Sequence, residues 1–441
     1  MRYRHPLTLG LLALLTAAFP GRAQNKPAQC LDTCEPDPTS GSYASTFGVR
    51  SQGKNSRGQA SIISRPMTTA GATSVLPGSE SHNYAIPLVS LPGRNGLDVN
   101  LTLFYNSAVW TIDVPNGTAT FNADRDFPSY GFRLGYGLIE APPSGQTSYM
   151  LTEPDGTQRE LRFSSGTTYV SVDSSYIDWN TSTKILRRKD GTQWTYQQVA
   201  GAASFYRPTK IQDTNGNYIS IAYITASGAD KQAIATLTDT VNRVITFNYD
   251  TSPTPRLQTI TITPPGGTAK TIAYFAWTSV NLNYDFSLAV RDSIANGSPV
   301  TVLTSCAYPN STGSGSGISY AFAYGDWGIV NKVSRKSANG TVRSYIRYDY
   351  PAATSALSDH PTYQHQFVSA DGSTENSWSY ATVKVAGITS SQSITDPFGS
   401  VTTTNLYTSG WQTGLTSSIA ISAGGDLPPS SAHGIIRHLL S

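Results

Sequence analysis

From about Tyr84 to residue 410 the apolar residues recur every second position in short runs, and turn-forming residues interrupt the runs at short intervals. In "KIQDTNGNYISIAY", Lys210 to Tyr223, the pair Asn215-Gly216 offers the positive φ angles of a tight hairpin turn. After it Ile219, Ile221 and Tyr223 fall on one face, and Tyr218, Ser220 and Ala222 on the other. Upstream, "YAIPLVSLPGRNGLDVNLTLFYNSAVW" sets two strand-like runs around a Pro-Gly-Arg-Asn-Gly turn, with Leu97, Val99, Leu101 and Leu103 in alternation. No useful length carries a 3.6-residue apolar period, so the expectation is an all-β chain of antiparallel hairpins.

The hairpin unit recurs. Shifted along the chain, Asp213, Ile219, Ile221 and Tyr223 fall on Asp239, Ile245, Phe247 and Tyr249 of "DTVNRVITFNYD". "PDGTQRELRF" and "KDGTQWTY" repeat the rhythm with turns at Gly156 and Gly191, the latter followed by Trp194 and Tyr196. "NGTVRSYIRYDY" turns at Gly340 and leads to Tyr348, "DGSTENSWSY" turns at Gly372, and "DPFGSVTTTNLY" sets Asp396 and Gly399 at the spacing of Asp213 and Gly216. The expected structural positions are therefore the turn glycines 156, 191, 216, 340, 372 and 399 and the aromatic residues Trp194, Tyr196, Tyr223, Phe247, Tyr249 and Tyr348. Those aromatic rings line the inside of the sheet in one reading, and stack on sugar rings from an exposed face in the other.

The flanks differ from this body. Residues 1–23 combine Arg2 and Arg4, the apolar run "LTLGLLALLTAAF" and small residues ending at Ala23, which is the pattern of a cleaved secretory signal. Residues 24–80 are rich in Pro, Ser, Gly and Gln and are expected to be a flexible lead-in. The opening block and first repeats occupy 81–307, a Gly/Ser-rich loop spans 308–319 as a candidate seam, and further repeats run through 320–410. The tail, 411–441, changes character at "HGIIRHLLS", as a truncation, a frame change or a small docking helix would.

Charge removes one function class. The formal net charge is +3, but Arg2, Arg4 and Arg22 lie in the signal, and without them the 31 Lys and Arg fall to 28, level with 28 Asp and Glu. A near-neutral chain with 13% charged residues lacks the basic footprint of a nucleic-acid binder. No segment after the signal is apolar enough for a membrane-spanning helix. Cys30 and Cys34 are spaced for a local disulfide after export, and Cys306 is left over.

Catalytic signals are sparse. His360 and His365, five apart beside Pro361 in an expected loop, do not have the helical spacing of a metal-binding H-E-x-x-H motif, and no nucleophile elbow, P-loop or dinucleotide fingerprint occurs. Asp213, Asp239 and Asp396 sit just before turns, where a carboxylate accepts backbone N–H bonds. No cofactor, metal site or catalytic residue is assigned.

The D-x-x-G … Y-x-Y-D rhythm of "DTNGNYISIAY", "DTVNRVITFNYD" and "NGTVRSYIRYDY" resembles the tyrosine-aspartate (YD) repeats of the RHS and teneurin superfamily, and "YAIPLVSLPGRNGLDVNLTLFYNS" looks like the segment that precedes the repeats in bacterial secreted RHS-type proteins. The resemblance covers roughly residues 84 to 410. It implies a β-sheet spiralling into a hollow shell that encloses a C-terminal cargo, often a toxin, or presents a surface for adhesion. The chain departs from the pattern at Val241 and Asn242, which stand where a glycine is expected, and "DPFGS" matches only the start of the DPxGxxxG core segment. The expected function is that of an exported, non-enzymatic structural repeat protein, located in the secreted fraction or at the cell surface, whose partners are the rest of a shell and its cargo. The alternative is a stand-alone adhesin or carbohydrate-binding module with a surface glycan as partner, and a secreted polysaccharide-active enzyme is a third class.

Overall fold

The computed structural model describes residues 82–422 except 114–115, 122–125, 143–144, 201, 227–229, 292–293, 314–315, 355 and 386–387. The expected signal, the whole lead-in and the end of the tail, with Cys30 and Cys34, lie outside these residues. The fold is all-β: 28 strands and two short 3-10 turns, with no α-helix among the described residues. Most strands pair antiparallel with their sequence neighbours, so hairpin turns set nearly all of the topology.

The repeated turn is a five-residue frame headed by an acceptor. Asp213 Oδ1 accepts from Asn215 N at 2.9 Å and Asn217 N at 2.8 Å, while Gly216 N donates to the Asp213 carbonyl at 3.2 Å. Asp239 holds Val241 N at 3.1 Å and Arg243 N at 2.9 Å, and Asp396 holds Phe398 N at 2.9 Å and Ser400 N at 2.8 Å. The backbone frame recurs from Glu153, Arg188 and Ser337. The fourth residue takes left-handed backbone, φ +85° at Gly216, and Asn242 takes the same region at +60°. Asn tolerates it, which is how a repeat without glycine keeps its turn. Asn215 stays out of the positive-φ region, so the Asn-Gly pair is not the two-residue turn that the sequence suggests; a single left-handed residue closes the frame. Gly156 is fixed twice over, by φ +89° and because a Cβ there would stand 2.6 Å from Arg133 Nη1.

One large sheet follows, in two parts that share a strand. Eight strands from Leu138–Glu140 to Ala202–Gln212 run up and down and close into a ring, because Phe205 and Tyr206 pair back with Glu140 and Ile139. Ile139, Leu151, Leu161, Trp179, Leu186, Tyr196 and Tyr206 fill it as a separate core. Ala202–Gln212 is long enough to serve twice, and its second half starts a meander that runs from Tyr218–Tyr223 to Thr416–Ser422. This sheet curves like the wall of a shell. Its inner face packs on the opening hairpin, Asn83–Leu91 with Val99–Asn106, and on Phe132. Ile86, Leu101, Leu103 and Phe132 share one core with Ile219, Ile221, Phe247, Phe275, Phe322 and Ile346. Burying such side chains stabilises by about 1.5–3 kcal/mol each. The Gly/Ser-rich stretch after Tyr308 joins two paired strands, Ser298–Pro309 and Ser316–Tyr324, so the ladder continues across it.

Candidate functional site: a filled interior and a rim cleft

The aromatic positions of the repeats form a ladder of their own. Tyr196 pairs with Pro208 at a bulge, and the Pro208 carbonyl accepts from Tyr223 Oη at 2.8 Å. Tyr223 pairs with Ile234 at the next bulge, whose carbonyl accepts from Tyr249 Oη at 2.7 Å. Tyr249 pairs with Leu257, which accepts from Trp277 Nε1 at 2.8 Å; Trp277 pairs with Leu303, which accepts from Tyr324 Oη at 2.7 Å. Each bulge turns a carbonyl out of the regular ladder, and the aromatic residue one hairpin later satisfies it. A ring with a polar tip suits this: its body packs in the core and its tip reaches the backbone. Only polar-tipped rings do the second job, so Phe247, on the same inner face, packs without a bond in the core.

The remaining aromatic positions act differently. Tyr196 is buried in the ring of eight strands with its hydroxyl unpartnered, and Trp194 is half-buried under the Arg188 guanidinium at 4.5 Å. Tyr348 is 2% exposed and stacks at 3.9 Å on His82, whose Nδ1 lies 2.8 Å from Tyr350 Oη. His82 anchors the start of the opening hairpin inside the wall, and desolvation pushes its pKa down to about 3, so it sits there neutral. Sequence reasoning gave it no role; its one signal was its place next to the alternating run. His360 lies outside the strands, whereas His365, expected in a loop, opens a strand and pairs with Asp349.

Beside the ladder, at the rim, a cleft of about 560 Å³ lies between the stretch before Phe132 and the turn after Tyr249. Asp126, Tyr130, Asp230, Arg256, Trp277 and Thr301 line it. The Asp126 carboxylate is already held by Arg133 at 3.2 Å and Gly131 N at 2.7 Å, and Arg256 by Asp250 at 2.7 Å. Asp230 Oδ1 likewise accepts from Gln232 N at 2.6 Å, and the rest of the wall is rings and hydroxyls. Cys306 is buried, its thiol pushed up to about 12 by desolvation, and unreactive there. Among the described residues no group of three or more His, Cys, Asp and Glu is arranged to hold a metal ion.

No family model matches the chain, and no curated protein matches it by sequence. Solved structures similar to it include TcdB2-TccC3 (13% identity, TM-score 0.27, 76% of this chain and 18% of that one) and TcdB2-TccC3-Cdc42 (12%, 0.26, 70% and 16%). A porin-like protein from Bacteroides uniformis is matched at 8% identity and TM-score 0.23, over 64% of this chain and 93% of that one. The chain thus spans under a fifth of the TcdB2-TccC3 chains.

Proposed function

We propose that this is an exported, non-catalytic wall protein of the RHS/YD-repeat kind, in which curved sheet and filling hairpin form a rigid body that shields or presents other polypeptide. The observation that carries this is the bulge-and-ring ladder, in which Tyr223, Tyr249 and Tyr324 each hold a bulge carbonyl of the wall. The inner face is occupied by the chain's own hairpin, so a cargo would be enclosed only together with further wall. The test is turnover of a panel of polysaccharides and peptides by the purified chain, repeated with Asp230→Asn. Absence of turnover fits a wall. Turnover lost in Asp230→Asn would replace it with an enzyme.

The rim cleft favours a second reading, a glycan-binding module: Trp277 and Tyr130 offer ring faces, and Asp230 and Thr301 offer polar partners at the edge. Retention on polysaccharide columns that falls with Asp230→Asn, without hydrolysis, would select it.

A further inference from the structure

Thr416–Ser422 is the last described strand of the meander; it pairs in register with Val401–Leu406, and no register joins it to a second described strand. All seven residues are exposed. Its inner face is apolar where a covered wall would be. Ile419 stands opposite buried Thr404, and Ile421 opposite Thr402 in the row of buried Ile394, yet the two isoleucines are 62% and 75% exposed. Natural edges are blunted with charge, proline or a bulge turned away. Here no Asp, Glu, Lys or Arg occurs from residue 397 to 425, and the strand holds no proline.

Ser418-Ile419-Ala420-Ile421-Ser422 reads the same in both directions. An antiparallel partner centred on Ala420 sets Ile419 against the other copy's Ile421, Ser418 against its Ser422, and Ala420 against itself. A two-fold axis perpendicular to the sheet keeps all four isoleucines on the inner face. That is the self-complementarity of an isologous interface. The segment just beyond in the sequence suits this edge poorly, since Pro428 and Pro429 cannot donate to a ladder. We propose that the edge Thr416–Ser422 pairs with the same edge of a second copy, joining two walls into one continuous sheet about Ala420. This stands independently of whether the wall shields a cargo or binds a glycan.

An edge of this size belongs to the small, weak class of interfaces, so a reversible dimer is expected at about 10–100 µM. Sedimentation of the full chain over that range should show it. Ala420→Lys puts like charges directly opposite each other and should weaken it at least about tenfold, with the melting temperature unchanged because the side chain is exposed. In a Cys30→Ser, Cys34→Ser background, Ala420→Cys should cross-link to itself on mild oxidation, since directly opposed residues have Cα atoms about 4.5–5.5 Å apart, within disulfide reach. Ser418→Cys alone should cross-link far more slowly, and Ser418→Cys with Ser422→Cys should restore the rate. A chain that stays monomeric throughout the range, a dimer untouched by Ala420→Lys, or Ser418→Cys linking as fast as Ala420→Cys would each overturn the proposal.

Discussion

Two residues show how far single positions carry this fold. Gly216 sits at φ +85° with nothing closer to its missing Cβ than Gln212 Nε2 at 3.7 Å, so its requirement is conformational and not steric. Gly216→Val should cost roughly 1–3 kcal/mol, read as a lower urea midpoint, whereas His360→Ala should leave the midpoint in place. His82 gives the pH dependence. Its folded pKa, about 3, lies below the unfolded value near 6.5, so below pH 6.5 the unfolded chain binds a proton that the folded chain refuses. Its contribution is complete above pH 6.5 and is lost as pH falls toward 3, at up to about 1.4 kcal/mol per pH unit. Stability measured from pH 7 to pH 4 should fall more steeply in the wild type than in His82→Phe. Parallel curves would remove His82 as the cause. The turn glycines were legible because only a few residues accept left-handed backbone. The burial of His82 was not, because its partners Tyr348 and Tyr350 lie at and just past the end of a strand far along the chain, Val342–Asp349.

At the scale of the element, the strand faces follow from alternation. Ile219 and Ile221 are buried and Ser220 and Ala222 exposed, as period 2 requires. The tyrosine that ends the repeat was visible as a recurrence but not as a hydrogen-bond donor, because its acceptor exists only where a bulge frees a carbonyl, and bulges leave little trace in apolar pattern. The ladder makes a paired prediction. Tyr249→Phe leaves the Ile234 carbonyl short of a partner and should cost about 1–3 kcal/mol. Tyr196→Phe removes a buried hydroxyl that has no partner and should be neutral or slightly stabilising. Equal effects of the two changes, in denaturant melts, would mean that the bond to the Ile234 carbonyl adds no stability, and the ladder account would fall.

For the whole molecule, hairpin signals predicted an all-β chain but not how its sheet closes. The ring depends on Phe205 and Tyr206 meeting a three-residue strand, Leu138–Glu140, too short and too distant in sequence to announce the pairing. The opening block was legible as two alternating runs; that it fills the wall was not, because Val99, Leu101 and Leu103 would alternate in the same way on any half-buried sheet. That filling is the central claim: the long sheet is held by the hairpin inside it, while the ring of eight strands has its own core. The most direct measurement is hydrogen exchange, peptide by peptide, on Leu103→Ala, a buried truncation worth about 2–5 kcal/mol. Exchange should accelerate throughout the wall strands around Ile219, Phe247 and Ile346, and much less around Trp179 and Leu186. If the wall exchanged as in the wild type, with only the hairpin loosened, the hairpin would be a passenger and the account of the wall would be wrong.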